Sequence, residues 1–361
     1  MFKIADYLLQ AGGKPGTPDR ATLLPLDTRG GGSALLSIGV LFIALARLLR
    51  GRLGGRLAGV HVNMAERLSL VRKSVVVVAC RALGIPVVLH LHAAQLHHSF
   101  RAFPAPIRGL VRWVFSLPAS CVVLGKTSAQ FVIDELRVPR ERVEIVINGV
   151  PEPKVPRREP AGRSGATQRL LFVGNLSDRK GVPELLQALA QPRFAGVPLE
   201  LTLAGGGDLE HYGAMAESLG LRGRVRFNGW ANQDALARLL AETDALVLPS
   251  HDEGLPLAIL EALAHGVAVV CTPVGEIPHV LTDGVDACFV KPGDPDSIAA
   301  GLSRVLTEPV FRERLERNGR ALYEQKFSLE RFSASIARIH LQHFGVSSVA
   351  ASRPAARENA P

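Results

Sequence analysis

The chain has 361 residues, which is enough for two domains that each bury a hydrophobic core. Hydrophobic residues make up 47% of the chain and aromatic residues 5%, so we expect aliphatic cores, as in parallel sheets that helices cover on both faces. The net charge of +9 suits an anionic-lipid or phosphorylated partner; the scarcity of aromatic residues and the lack of a nucleic-acid motif argue against nucleic acid.

Cysteine usage and hydropathy predict a cytoplasmic chain. The four cysteines are far apart and form no CxxC pair, which indicates buried thiols in a reducing compartment: Cys80, Cys121, Cys271 and Cys288. The first residues do not form a secretory signal, because Asp6 and Gln10 interrupt them. The longest near-continuous apolar run, residues 34–46, is too short to span a bilayer.

The N-terminal part predicts an apolar helix followed by basic residues. Residues 2–10 favour a short helix, residues 21–26 a strand and residues 33–50 a longer apolar helix. Basic residues concentrate beside apolar helical positions: Arg47, Arg50, Arg52, Arg56, Arg67, Arg72, Lys73, Arg101, Arg108 and Arg112. This combination is typical of an interfacial membrane-binding surface, and an ordinary solvated arginine-rich surface is the alternative.

Two histidines end a predicted strand in the first half of the chain. Residues 59–63 and 85–92 favour strands, with a helix at residues 72–83 between them. The residue type alone favours a neutral, hydrogen-bonded core histidine at His92. A metal site is the alternative for the local group of His90, His92, His97 and His98, although it includes no cysteine and spans a strand end and a loop.

A strand–helix–strand pattern and a linker complete the first half. Residues 118–124 and 142–147 favour strands, and residues 127–136 favour a helix. Residues 151–168 are rich in Pro, Arg and Gly, which predicts a linker between two domains.

The second half opens with a glycine-containing loop between a strand and a helix. The strand is predicted at residues 170–173, the loop at residues 174–181 and the helix at residues 183–190. The loop ends in Arg179 and Lys180, a fork-shaped and a compact cation beside a helix N-terminus, which suits a diphosphate. A solvated Arg–Lys pair is the alternative.

Two further strands of the second half carry weaker signals. Residues 201–204 favour a strand, and the Gly run at residues 205–207 after it does not fit a dinucleotide fingerprint. Residues 225–229 favour another strand, followed by Trp230. An interior tryptophan is one interpretation of Trp230, and a packing partner for a nucleotide base is the other.

Residues 246–278 predict a βαβ unit with a polar loop at the carboxyl end of its first strand. The helix is expected from about Leu255, with Gly266 just past its end and apolar residues throughout except Glu261. A carboxylate in such a helix is costly unless donors reach it, and its two oxygens suit the paired hydroxyls of a ribose. In the alternative, Glu253 is an ordinary N-terminal acid and Glu261 a surface residue paired with His265.

Glu253 and Glu261, with seven residues between them inside SHDEGLPLAILEALAHGVAVVCT, resemble the Glu-x7-Glu signature of retaining family 4 glycosyltransferases. The resemblance runs from about residue 57 to residue 341 and is densest over residues 170–293. It implies the GT-B fold, an α/β architecture of two doubly wound Rossmann-like domains that face each other across a cleft. It also implies transfer of a sugar from a nucleotide-diphosphate sugar, with retained configuration and no metal or other cofactor.

The resemblance also implies roles for individual residues. Glu253 holds the transferred sugar, His92 contacts that sugar from the other domain, and Lys180 stabilises the leaving diphosphate; these three form the expected catalytic set. The expected donor-binding residues are Gly174, Asn175, Arg179, Lys180, Gly254, Leu255, Glu261 and Trp230. The expected acceptor is a saccharide or a lipid-linked saccharide of polysaccharide or envelope glycan synthesis, at the inner face of an anionic membrane.

Some positions depart from the family pattern. Asn175 stands where Arg is common, Gly125 where Ser or Thr is usual, and Glu276 and His279 replace a second Gly and a later Glu. The first strand and Gly-Gly loop of the family are not recognisable before Phe2. An impaired, truncated partner protein at the membrane is therefore one alternative, and another GT-B enzyme such as an epimerase or phosphorylase is a second.

The expected domain organisation has four parts. Residues 1–160 form an acceptor-side domain without its first strand, and residues 161–325 form the nucleotide-sugar domain. Residues 326–346 form a helix that crosses back to the first domain. Residues 347–361 are rich in Ala, Arg and Pro, which predicts a disordered tail.

Overall fold

The computed structural model describes residues 2–11, 21–31, 34–66, 68–93, 95–157 and 167–347. It divides into two compact units, one of residues 1–149 with 329–361 and one of residues 150–328. Most of the predicted tail, residues 348–361, and the middle of the predicted linker, residues 158–166, lie outside the described residues.

The first unit combines four strands with seven helices among the described residues. The strands are β1 Val60–Met64, β2 Val87–Leu91, β3 Ser120–Val123 and β4 Val143–Ile145. The helices are α1 Phe2–Ala11, α2 Ala34–Leu53, α3 Leu68–Ala82, α4 Leu96–Ala102, α5 Ala105–Ser116, α6 Lys126–Asp134 and, from the C-terminal part of the chain, α14 Leu329–Phe344.

The four strands form a parallel sheet in the order β1-β2-β3-β4. Successive side chains of a strand point to opposite faces, and the two faces of this sheet differ in chemistry. Val62 and Leu89 belong to the apolar core that also contains α3 and α5 residues. The other face presents His61 and His90 to α14, where His340 contacts the ring of His61.

The second unit holds six strands and seven α-helices in its described part. The strands are β5 Gln168–Val173, β6 Leu199–Ala204, β7 Val225–Gly229, β8 Ala245–Leu248, β9 Ala268–Cys271 and β10 Cys288–Phe289. The helices are α7 Val182–Leu189, α8 Leu209–Ser218, α9 Gln233–Ala241, α10 Leu257–Ala264, α11 Ile277–Val280, α12 Pro295–Thr307 and α13 Pro309–Leu322.

These strands form a parallel sheet in the order β10-β9-β8-β5-β6-β7. The chain runs outward from β5 through β6 to β7, and then returns to the other side of β5 to form β8. This reversal makes the carboxyl ends of β5 and β8 the topological switch point, where open α/β sheets bind ligands. The α/β class predicted from the sequence is confirmed.

Several local predictions need correction. Residues 21–26 form no strand, and Pro25, which lacks a backbone N–H, would interrupt a ladder there. The helix expected from Leu255 begins at Leu257, because Pro256 keeps an extended backbone (φ −65°, ψ 126°). The helix expected over residues 326–346 begins at Leu329, because the π-helical turn Tyr323–Phe327 and the extended backbone of Ser328 precede it.

Candidate functional site at the switch point of the second sheet

The loops that follow β5 and β8 fit closely against each other. The backbone N–H of His251 donates to the carbonyl of Arg179 at 2.9 Å. Gly181 has a positive φ of +70°, and a Cβ there would lie 2.1 Å from the carbonyl oxygen of Pro249. A side chain at position 181 is therefore disfavoured by the positive φ and would also clash with the Pro249 carbonyl. Glycine lets residues 174–181 and 249–256 share one site.

Lys180 and Glu253 meet in this site. The Lys180 ammonium forms an ion pair with Oε1 of Glu253, and the two side chains are 12% and 8% exposed. The Ser250 hydroxyl donates to the same Glu253 oxygen at 2.7 Å. A carboxylate this deeply buried requires such donors. Two of the three expected catalytic side chains are thus in direct contact, although 73 positions separate them.

A turn after β9 supports the backbone of Glu253 and Gly254. The N–H of Glu276 donates to the Gly254 carbonyl at 3.0 Å. Gly275 has a φ of +60°, and a Cβ there would lie 2.0 Å from the Glu253 carbonyl oxygen. The sequence showed Gly275 but not the reason for it, since a close approach between two loops leaves no local signal.

The glycine run after β6 supports the loop after β5. A Cβ at Gly205 would lie 1.7 Å from the carbonyl oxygen of Gly174, and one at Gly207 would lie 2.4 Å from that of Leu176. The N–H of Leu176 donates to the Gly206 carbonyl at 2.7 Å. The run is therefore part of the scaffold of the loop that carries Asn175 and Lys180.

Arg179 contributes to the site differently from its neighbour. Its Nη1 donates to the backbone carbonyl of Asp252 at 2.5 Å, so the guanidinium ties the β5 loop to the β8 loop.

A second hydrogen bond fixes the loop after β5 from α8. The hydroxyl of Tyr212 donates to Asp178 Oδ1 at 2.9 Å. Burial and the bond to Asp178 raise the pKa of Tyr212 to about 12, so this phenol remains a donor at neutral pH.

Glu261 lies inside the fold, about one turn after the start of α10. Its side chain is 7% exposed, and the flanking residues Leu260 and Ala262 are buried. His265 Nδ1 donates at 2.8 Å to the backbone carbonyl of Glu261. The interpretation of Glu261 as a surface residue is therefore wrong. Glu253 precedes the helix by four residues, so it is not a first-turn acid either.

The other end of α10 is held by two arginines that the sequence did not single out. Arg157 donates to the Gly266 carbonyl and Arg320 to the Ala264 carbonyl. Cations there satisfy carbonyls that lack an intrahelical partner and oppose the negative end of the helix dipole. Arg157 also pairs with Glu316 at 2.9 Å. These contacts fix the position of the helix that carries Glu261.

The remaining expected donor residues lie in the β8 loop and directly after β7. Leu255 is buried, and Gly254 accepts the bond from Glu276 described above. Trp230 directly follows β7 and is 84% exposed, so the interior interpretation of this residue is wrong. An exposed indole remains available as a stacking surface.

His92 belongs to the first unit, where it lies directly after β2. Its Nε2 is 2.9 Å from Asn63 Oδ1, an oxygen that only accepts, so the ring donates from Nε2. The rings of His90 and His92 are 4.0 Å apart. His61 continues the histidine cluster, with His340 Nε2 at 2.8 Å on one side and His90 Nδ1 at 3.3 Å on the other.

Burial keeps this histidine cluster uncharged. It lowers the pKa of His92 to about 3 and that of His340 to about 4, and it lowers the pKa values of His61 and His90 well below their usual range. The residues form a neutral hydrogen-bonded group. In the part of the chain that the structure describes, no group of His, Cys, Asp and Glu could hold a metal ion.

The site belongs to a region with clear relatives. Residues 157–322 match the family model described as "Glycosyl transferases group 1". We call this matched stretch the group 1 region. An uncharacterized glycosyltransferase of Methanocaldococcus jannaschii, MJ1607, is 30% identical over 61% of this chain and 60% of its own length. The chain thus spans less than two thirds of that relative.

Two named relatives extend the comparison. The lipopolysaccharide core biosynthesis glycosyltransferase LpsE of Rhizobium meliloti is 34% identical over 45% of this chain and 46% of its own length. The alpha-D-kanosaminyltransferase of Streptomyces kanamyceticus is 26% identical over 72% of this chain and 71% of its own.

Solved structures show that the fold extends beyond the group 1 region. Anabaena HepE, crystallised with UDP and glucose, is similar with a TM-score of 0.69 and 20% identity, covering 88% of this chain and 86% of HepE. The sucrose-phosphate synthase of Thermosynechococcus elongatus has a TM-score of 0.74 and 17% identity, covering 94% and 91% of the two chains. The predicted GT-B fold is confirmed.

Proposed function

We propose that the protein is a glycosyltransferase that moves a sugar from a nucleotide-diphosphate sugar to a saccharide or lipid-linked acceptor, with retained configuration and without a metal. The observation that carries the proposal is the ion pair of Lys180 and Glu253 at the switch point of the second sheet, inside the group 1 region. A buried cation and a buried carboxylate at the carboxyl ends of two adjacent strands suit a ligand that has both phosphates and hydroxyls.

The donor is assigned from the chemistry of each group. The loop of Gly174 and Asn175, with Arg179 and Lys180, receives the diphosphate beside the N-terminus of α7, where backbone N–H groups attract anions. The carboxylate of Glu261 accepts from the ribose hydroxyls. Trp230 offers an exposed ring to the base. UDP in the HepE crystals supports a nucleotide donor.

Catalysis then rests on electrostatics. The C–O bond between the sugar and the diphosphate breaks, and negative charge grows on the departing phosphate. The acceptor hydroxyl forms the new C–O bond on the same face of the sugar, and its proton passes to that phosphate. Lys180 and the N–H groups of α7 stabilise that charge in a site that is largely shielded from water. Glu253 and the backbone of Gly254 and Leu255 hold the hydroxyls of the transferred sugar, and neutral His92 contacts the sugar as a hydrogen-bonding group.

The acceptor class follows from the relatives and from the charge of the chain. LpsE is named for lipopolysaccharide core biosynthesis, which supports an acceptor of polysaccharide or envelope glycan synthesis. The basic residues beside apolar helices support a position at the inner, anionic face of a membrane. No helix within the described residues is both long and apolar enough to cross a bilayer.

Thermal unfolding with a panel of nucleotides tests the donor site. UDP, GDP, ADP and dTDP are compared, with Glu261→Ala as the site variant and Glu242→Ala, an exposed acid of the same unit, as the control. One nucleotide is expected to raise the melting temperature of the wild type and of Glu242→Ala, but not of Glu261→Ala. An equal shift in all three proteins contradicts the ribose assignment, and no shift with any nucleotide contradicts the proposed function.

A further inference from the structure

The helices α2, α3 and α5 of the first unit expose large apolar side chains to solvent. The most prominent are Phe42 and Leu53 on α2, Leu68 and Val71 on α3, and Leu110 and Trp113 on α5. We call this surface the apolar-basic face. Scattered single apolar residues on a surface are ordinary, whereas a contiguous group on neighbouring helices marks a binding surface.

Topology places the three helices in one layer. The strands are parallel and follow each other in the order β1-β2-β3, so right-handed crossovers put α3 and α5 on the same face of the sheet. The inner sides of these helices pack into one core, which includes Leu48 of α2, Val76 of α3 and Val114 of α5. Their outer sides therefore form one continuous face.

The net charge of the protein originates in this same stretch. Residues 34–116 contain eleven Lys and Arg but a single acid, Glu66, whereas the whole chain has a net charge of +9. The rest of the chain is close to neutral. Of these cations, Arg47, Arg50 and Arg56 are exposed at and just beyond the C-terminal end of α2. The cations thus adjoin the apolar side chains instead of being spread over the molecule.

We propose that the apolar-basic face docks on a bilayer that contains anionic lipid, with α2 lying in the plane of the interface. Apolar side chains enter the boundary of headgroups and acyl chains, and the arginines contact the anionic headgroups. The inference deepens the proposed function and rests on it in one respect, since a docked face of the first unit gives access to lipid-linked acceptors. Nucleic acid does not explain an apolar surface between the cations.

Vesicle co-sedimentation of the full chain tests the proposal. The wild type is expected to bind vesicles of phosphatidylglycerol and phosphatidylcholine at low salt, to bind phosphatidylcholine vesicles at least about tenfold less, and to be released by high salt. The double variant Phe42→Glu/Leu53→Glu is expected to lose binding. Val310→Glu, at an equally exposed apolar residue of the second unit, is the control and is expected to bind as the wild type does.

Tryptophan fluorescence gives an independent readout of orientation, since the chain has two tryptophans, one in each unit. With Trp230→Phe, the emission of Trp113 is expected to shift to the blue on anionic vesicles. With Trp113→Phe, the emission of Trp230 is expected to stay unchanged. A shift of Trp230 instead of Trp113 overturns the assigned face.

Other outcomes also overturn the proposal. They are no binding to anionic vesicles at low salt, equal binding to both vesicle types, and equal binding of wild type and Phe42→Glu/Leu53→Glu. Thermal shifts by nucleotides, measured on the same proteins, separate the two ideas. A double variant that loses vesicles but keeps the nucleotide shift is folded, and a wild type that binds vesicles without any nucleotide shift contradicts only the proposed glycosyl transfer.

Discussion

The two units are built from similar parallel sheets, but they bury opposite kinds of polar group. The first unit buries uncharged histidines next to β1 and β2, whose pKa values burial holds below their usual range. The second unit buries a charged pair, Lys180 and Glu253, at the carboxyl ends of β5 and β8. The second unit contains 19 Lys and Arg against 23 Asp and Glu, whereas the first unit contains 23 Lys and Arg against 10 Asp and Glu.

The kind of polar group that each unit buries limits the chemistry that the unit can perform. Buried neutral histidines can position a hydroxyl but cannot stabilise a departing diphosphate, since they carry no charge at neutral pH. A buried ammonium can, because a low-dielectric site strengthens its field. Under the proposed function, the second unit therefore holds the leaving group, and the first unit positions the sugar and docks on the membrane.

As the pH is lowered, the first unit is expected to unfold at a higher pH than the second. Because the pKa values of His92 and His340 are lower in the folded state (about 3 and about 4) than in the unfolded chain, only the unfolded chain gains protons below about pH 6.5. The two histidines lower the free energy of unfolding only below that pH, each by about 1.4 kcal/mol per pH unit. At pH 5 the loss for the two together is about 4 kcal/mol. Urea unfolding followed by Trp113 emission at pH 7.5 and 5 measures this.

The histidine cluster itself supplies the control. His340→Gln is expected to reduce the pH dependence of the first unit, since one titrating group is lost. His343 lies in the same helix, three residues after His340 and outside the cluster. His343→Gln is expected to leave the pH dependence unchanged. Equal slopes for the wild type and His340→Gln would remove this histidine as a cause of acid sensitivity.

Removing the charge of the second unit is expected to lower turnover strongly. Lys180→Ala takes away a donor that faces the leaving diphosphate, which costs about 100- to 1,000-fold in kcat. It also leaves Glu253 buried without its cation, at about 3 kcal/mol of stability. Lys291→Ala, at an exposed lysine of the same unit, is the control. The measurement is initial rate together with urea unfolding.

A double variant separates the two effects of this lysine. Lys180→Met/Glu253→Gln leaves no unpaired charge, so it is expected to regain much of the lost stability and none of the lost activity. If Lys180→Ala is fully active, the leaving-group role is excluded.

Gly275→Ala is expected to destabilise the second unit by about 2 kcal/mol and to weaken nucleotide binding. The added Cβ meets the backbone carbonyl of Glu253, and the backbone has a positive φ. Gly284→Ala has a similar φ of +69° but an open surrounding, so it is expected to cost about 1 kcal/mol and to leave binding intact. Calorimetric titration with the selected nucleotide distinguishes the two variants. Equal nucleotide affinities would show that Gly275 does not support the binding site.

The smallest expected effect concerns the exposed indole after β7. Trp230→Ala is expected to weaken nucleotide affinity about tenfold or less, because stacking of one aromatic ring contributes about 1 kcal/mol. Trp230→Phe keeps a stacking surface and is expected to lose less. A nucleotide affinity that is the same in both variants and the wild type would place the base elsewhere.

Sequence patterns were sufficient for most of the strands of both units, because buried parallel strands are continuous apolar runs. They were also sufficient to select Glu261, since one acid in an otherwise apolar helix is a local signal. Helices α4, α5, α8, α9 and α12 and the two-residue strand β10 were not predicted.

Contacts between distant segments could not be predicted from the sequence. Lys180 and Glu253 are 73 positions apart, and only the strand order β8-β5 brings them together. The hydrogen-bond partner of the His92 ring, Asn63, lies on β1. The parallel register pairs Asn63 with His90 and so places it beside the end of β2. Gly275 lies against the backbone of Glu253, and Arg320 donates to the backbone of Ala264. No local sequence pattern indicates contacts with such distant segments.

The decisive experiment is a crystal structure of the chain with the nucleotide that gives the largest thermal shift. We expect the diphosphate beside Lys180 at the N-terminus of α7, with the ribose hydroxyls on the carboxylate of Glu261. A nucleotide bound away from the carboxyl ends of β5 and β8, with the ion pair of Lys180 and Glu253 unaltered, would contradict this expectation.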